Sequence, residues 1–71
     1  MKRVSVVSND IQSVGYDRGL KILEVEFNSG GVYQYFDVPE YIHEAFINAS
    51  SHGKYFQKNI RGNYQFQKIS K

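Results

Sequence analysis

Two alternating stretches hinged on Asn28-Ser29-Gly30-Gly31 do most to narrow the folds open to this chain. Across residues 20–27, Leu23, Val25 and Phe27 fall on one side and Lys21, Glu24 and Glu26 on the other. That period of two predicts a half-buried strand. The paired glycines supply the positive φ angles a tight reversal needs, so residues 32–36 form the returning strand of a hairpin. A hairpin with one apolar face must bury that face against other elements, and the rest of the chain has to supply them.

Upstream, Val4, Val6 and Val7 precede Ile11, Val14 and Tyr16, with Ser8-Asn9-Asp10 between them, a cluster that favours turns through local side-chain bonds. One strand is predicted near residues 11–16, preceded by a short edge strand, with a turn over residues 15–19. Downstream, Pro39 suits the first position of a helix, where its missing N–H costs nothing. Glu40 and Glu44 complement the positive end of the helix dipole, and Ile42, Ala45, Phe46 and Ala49 recur at helical spacing, giving a helix over 39–49. Ser50-Ser51 caps a second short helix through residue 60 that turns Phe56 and Ile60 inward, and Gly62-Asn63 ends it. Alternation returns over 64–69 as a last strand. The order β-β-β-α-α-β implies an α+β fold: a small, mostly antiparallel sheet with two helices packed on one face.

The 71 residues make one domain, 1–71, and contain no cysteine, which excludes disulfide staples, thiolate nucleophiles and cysteine zinc sites. Five Phe and six Tyr, with no Trp, must therefore carry the core. The start Met1-Lys2-Arg3-Val4-Ser5 is basic but runs into only a short apolar stretch, so neither a signal peptide nor a membrane span is expected, and the expected location is cytoplasmic. Net charge is only +2, but its distribution is uneven. Lys2, Arg3, Arg18 and Lys21 balance Asp10, Asp17, Glu24 and Glu26; residues 37–50 carry only Asp37, Glu40 and Glu44. From residue 51 the chain is purely basic, with Lys54, Lys58, Arg61, Lys68 and Lys71.

Four groups of residues in order, Ser13-Val14-Gly15-Tyr16-Asp17, then Leu23, Val25, Phe27 and Gly30, then Tyr33-Gln34-Tyr35 with Val38-Pro39, then Ala49, Ser51, Gly53 and Tyr55-Phe56, resemble the KTSC domain family over residues 5–66. That family is named for a C-terminal extension on some lysyl-tRNA synthetases, and it also occurs as small stand-alone bacterial and phage proteins. The resemblance implies RNA binding through that attachment to a tRNA-handling enzyme. It puts the family's Tyr-x-Tyr on Tyr33 and Tyr35 and its Tyr-Phe on Tyr55 and Phe56, and it transfers no catalytic residue.

Tyr33 and Tyr35 point to one side of their strand. Facing solvent, rings roughly 7 Å apart would make a platform for unpaired bases; facing inward, they are core with hydroxyls at the rim. Lys54, Lys58 and Arg61, spaced four and three apart, are expected on one helical face opposite Phe56 and Ile60, as a track for a polyanion or as an ordinary solvated face. Lys54 stands in a first turn, against the dipole, so Ser51-His52-Gly53-Lys54 is either a phosphate site or a plain N-cap. Glu40-x-x-His43-Glu44 has di-metal spacing but lacks the further inward carboxylates such sites need, so no metal and no cofactor are expected. His43 and His52 lie in no nucleophile motif, and no phosphate-binding loop or dinucleotide fingerprint occurs. The leading expectation is a non-enzymatic module for RNA or other single-stranded nucleic acid, using Tyr33, Tyr35, Tyr55, Lys54, Lys58 and Arg61, with Ser51, His52 and Gly53 on a phosphate. The alternatives are a protein-interaction module using His43 and Ile47, and a pocket for a small nucleotide.

Overall fold

The computed structural model describes residues 2–70. Strands β1 (Arg3–Ser5), β2 (Ile11–Asp17), β3 (Ile22–Phe27) and β4 (Val32–Tyr35) are followed by helix α1 (Glu40–Ile47), a short helix α2 (His52–Tyr55) that runs into a π-helical turn at Phe56–Ile60, and strand β5 (Phe66–Ser70). The five strands form one sheet in the order β1-β2-β3-β4-β5, every neighbouring pair antiparallel. Strand and helix order follow the expected α+β pattern, including the short edge strand β1.

Element ends shift by one or two residues from the sequence reading, and around Gly15, Lys21 and Pro39 the shift has a local reason. Strand β2 continues through Gly15 to Asp17, because Gly15 pairs with both Arg3 and Glu24 and serves the sheet rather than a turn. The reversal falls on the residues after it, where Lys21 takes a φ of 56° and Asp17 Oδ1 accepts from the Leu20 N–H at 2.9 Å. Pro39 is the residue before α1, extended at φ −65° and ψ 152°, and it ends the chain's non-helical approach.

Cross-strand register sends Val14, Val25 and Leu23 with their partners Tyr33 and Tyr35 to the face covered by the helices. There they meet Phe46 from α1 and Phe56 and Ile60 from the π turn; Ile11, Leu23, Val25, Val38, Phe46 and Ile60 are fully buried. Burying a large apolar side chain stabilises by about 1.5–3 kcal/mol, so this cluster is what holds a cysteine-free domain of this size together.

The uncovered face of the sheet is polar and is organised by a missing side chain. Arg3, Gly15 and Glu24 lie side by side across β1, β2 and β3. Because Gly15 projects nothing between them, the Arg3 guanidinium reaches over β2 to pair with Glu24. Arg3 Nε also donates to Ser13 Oγ at 2.9 Å, Ser13 donates to Glu26 Oε1 at 2.9 Å, and Gln34 Nε2 donates to Glu24 Oε1 at 2.9 Å. Glu24 is thereby satisfied although only 4% exposed.

Candidate nucleic-acid interface

Five aromatic rings close a circuit on the helix-covered side of β4. Phe27 meets Tyr33 with centroids 5.6 Å apart, Tyr33 meets Phe66 at 5.8 Å, Phe66 meets Tyr35 at 5.5 Å, Tyr35 meets Phe56 at 5.5 Å, and Phe56 returns to Phe27 at 5.2 Å. Most of these contacts are edge-on or tilted, the arrangements favoured by ring quadrupoles. The circuit frames a hollow of about 370 Å³ that opens between the π turn and the β4–β5 edge, with Ser29, Gln57 and Arg61 at its mouth.

Tyr33 and Tyr35 thus share the inner face, and the core reading holds for Tyr35, which is 5% exposed. Burial, with Tyr33 nearby, pushes its hydroxyl up to about 12, against a smaller opposing pull from Arg61. Tyr33 is half-buried, with Lys68 Nζ 5.8 Å from its ring centroid. The two tyrosines do not make an open platform, because the inner face is where the sheet buries its rings. The accessible ring is Phe66, 59% exposed on edge strand β5, and sequence reading passed over it.

The three cations expected on one face are split. The Arg61 N–H bonds to the Phe56 carbonyl at 2.9 Å, five residues back, so the chain is wound wider than an α-helix through this turn. Lys54 and Lys58 stay together beside Tyr55 and Ser51. Arg61 is carried around to the aromatic hollow, where its Nη1 donates to Gln57 Oε1 at 2.9 Å.

The Ser51-His52-Gly53-Lys54 turn is built as an N-cap: the Lys54 N–H donates to Ser51 Oγ at 3.3 Å. His52 packs its ring edge-on to Phe46 at 6.2 Å, with Nε2 3.3 Å from the Ile47 carbonyl. Tyr55 is half-buried and stacks on Phe46, with centroids 5.8 Å apart and planes at 21°. A carboxylate of the chain itself stands at this helix end, since a Cβ added to Gly53 would lie 2.6 Å from Asp10 Oδ2. Asp10 provides locally the negative charge that a docked phosphate was expected to bring.

On α1, Glu40 accepts from Arg18 Nε and Nη2 at 2.8 and 2.7 Å, and His43 stacks on Tyr16 with centroids 4.7 Å apart. Burial of His43 lowers its pKa, with Glu44 and Glu40 opposing. Among the described residues no group of three or more His, Cys, Asp or Glu is placed to hold a metal ion, and no helix is long and apolar enough to cross a membrane.

Comparison with known proteins agrees with this architecture. The chain is 40% identical over 70 residues to an uncharacterized protein of Stutzerimonas stutzeri strain A1501, covering 97% of this chain and 99% of that one. It is also 40% identical over 60 residues to the lysine–tRNA ligase of Nostoc punctiforme, a match that spans 84% of this chain but 11% of the ligase. The crystal structure of a KTSC domain protein from Yersinia pestis superposes with a TM-score of 0.95 at 40% identity, over 97% of each chain. The KTSC domain family model matches residues 7–64. By sequence and by structure, this chain belongs to the KTSC domain family.

Proposed function

We propose that the protein is a non-enzymatic binding module for single-stranded RNA, which holds an unpaired base in the five-ring hollow and phosphates on Lys54, Lys58 and Arg61. The observation that carries this reading is the origin of the hollow's two walls. The π turn and β5 both come from the segment after residue 50, which has cations and no acid, so exposed Phe66 and half-buried Tyr33 lie between Arg61 and Lys68. Aromatic faces bordered by cations are how sequence-tolerant single-strand binders work, with about 1–3 kcal/mol per stacked base. A matching segment within a lysine–tRNA ligase fits the same reading.

The test is a ¹H–¹⁵N titration with a single-stranded octanucleotide at low salt and again at about 0.2 M salt. Shifts centred on Tyr33, Phe66 and Arg61 that fade with salt are expected. Lys54→Glu with Lys58→Glu should lower the salt slope by about 1.4, at ~0.7 per phosphate contact on a single strand. An unchanged affinity in that double variant, or no localised shifts at low salt, sinks the reading. A second reading, docking of a protein partner, is favoured by Phe66 and Ile69, which stand 59% and 43% exposed on the edge strand. Under that reading, capture of a partner from lysate survives nuclease treatment.

A further inference from the structure

The backbone of Asp10 is held firmly, and its carboxylate does no more in the fold than stand at the start of α2. Its N–H donates to Ser8 Oγ at 3.1 Å, and its carbonyl accepts from the Asn28 N–H at 2.9 Å. No hydrogen bond or ion pair recorded among the described residues ends on its side-chain oxygens. The carboxylate leans on the bare Cα of Gly53, where any larger residue would displace it.

It leans there inside a groove. A second hollow of about 260 Å³ is lined by Asp10, Asn28 and Gly53, and it shares Phe27, Ser29, Phe56 and Gln57 with the ring-framed one. The two adjoin across these residues, between the β3–β4 loop and the helical segment. On the far side of Asp10 and Gly53, the surface is bordered by Lys54 and Lys58. Along this path come aromatic rings, then an unpartnered carboxylate, then two ammonium groups. A nucleotide presents base, sugar and phosphate in that same order.

We infer that Asp10 is the specificity-determining residue of this groove: its carboxylate accepts a hydrogen bond from a ribose 2′-hydroxyl, and so selects RNA over DNA. The inference rests on reading the groove as a single-strand binding site and adds to it the group that distinguishes the sugars. An ionised carboxylate is an acceptor only, so it needs a donor opposite it. The 2′-hydroxyl supplies one; deoxyribose presents a C–H there and offers the carboxylate no donor. A carboxylate is otherwise an unfavourable neighbour for a polyanion, and this pairing accounts for an acid standing beside the lysines.

The experiment is fluorescence anisotropy of labelled octauridylate and its 2′-deoxy counterpart with the full chain, using wild type, Asp10→Ala and Asp10→Asn. The wild type should bind the ribo-oligomer about tenfold more tightly, the ratio expected for one hydrogen bond to a charged group. Asp10→Ala should bring the two oligomers to within about twofold of each other, and Asp10→Asn, which keeps a carbonyl acceptor, should retain part of the preference. Asp10 is exposed, so both variants should keep the wild-type amide spectrum away from the substitution. Equal affinities in the wild type, or a preference that survives in Asp10→Ala, overturn the assignment of Asp10 and leave the groove reading standing. Binding of neither oligomer overturns the groove reading and this assignment together.

Discussion

Replacing Arg3 by Met tests whether one exposed strand end governs the stability of the whole sheet. The change keeps most of the aliphatic stem and removes the guanidinium that bonds Ser13 and pairs with Glu24 and, at 3.8 Å, with Glu26. Glu24 then faces Glu26 two residues along β3, with its side chain 6% exposed and Gln34 its remaining donor. Removing one partner of a buried ion pair costs about 3–5 kcal/mol; Arg3 itself is 30% exposed and water can partly replace it, which puts the loss at the low end, about 3 kcal/mol. The contact to half-buried Glu26 adds less than about 1 kcal/mol. A domain this small has only a few kcal/mol in total, so Arg3→Met should be largely unfolded in plain buffer. Urea titrations followed by far-ultraviolet circular dichroism, run in an excluded osmolyte so that both limbs of the transition are visible, give the difference. Glu24→Gln in the Arg3→Met background removes the stranded charge while still accepting from Gln34, and should recover at least about 2 kcal/mol. A loss below about 1 kcal/mol in Arg3→Met, or a double variant as weak as the single one, would refute the account.

Phe66→Ala should weaken single-stranded RNA by about 1–3 kcal/mol while shifting the urea midpoint little, because a 59% exposed ring does more for a ligand than for the core; anisotropy and urea titration on the same sample separate the two. Tyr35 has its hydroxyl raised from the ordinary tyrosine value of 10 to about 12, and Tyr16 and Tyr64 are shifted in the same direction by burial, so their stabilising contribution is complete below pH 10 and is lost as pH rises through each folded value. Tyr35→Phe should flatten that alkaline decline in thermal melts. His43 has the opposite sign: its folded pKa is lowered, so stability present above pH 6.5 is lost as the pH falls through the folded value, and a His43 ring-proton titration by NMR should have its midpoint below 6.5. Gly53→Ala should leave stability unchanged or raise it by up to about 1 kcal/mol, since α2 gains helix propensity and only a flexible, exposed carboxylate must move; a loss of more than about 1 kcal/mol would show that Asp10 is locked.

What the sequence made legible was local. The hairpin around Asn28-Ser29-Gly30-Gly31 and helix α1 announce themselves through period, loop chemistry and dipole-compatible charges within a dozen residues. What it concealed depends on pairings across the fold. Gly15 looks like a turn residue until register sets it between Arg3 and Glu24, and the network it permits joins residues from four strands. The π turn has no signature that distinguishes its residues from an ordinary helical run, so Arg61 was assigned to the lysine row. Gly53 and Asp10 are far apart in the chain and meet only because β2 starts beside the start of α2. Of the candidate site residues, Lys54 and Lys58 lie side by side in the fold, whereas Tyr33 and Tyr35 came without the ring that completes their circuit, Phe66.

The strand order gives this architecture a folding consequence. Strands β2 to β4 each pair with the strand just before them in the chain, and such local closures are fast and cost little entropy. Only β5 must wait for α1, α2 and the π turn to be laid over the sheet before it can dock on β4, and once docked all five of its residues stay exposed. The β5 wall of the groove is therefore the last part to assemble and the first to open. Its amides should exchange with solvent well before those of β2 and β3, so a ligand that bridges π turn and β5 registers as slowed exchange at β5 itself, in a protein whose central strands hardly change.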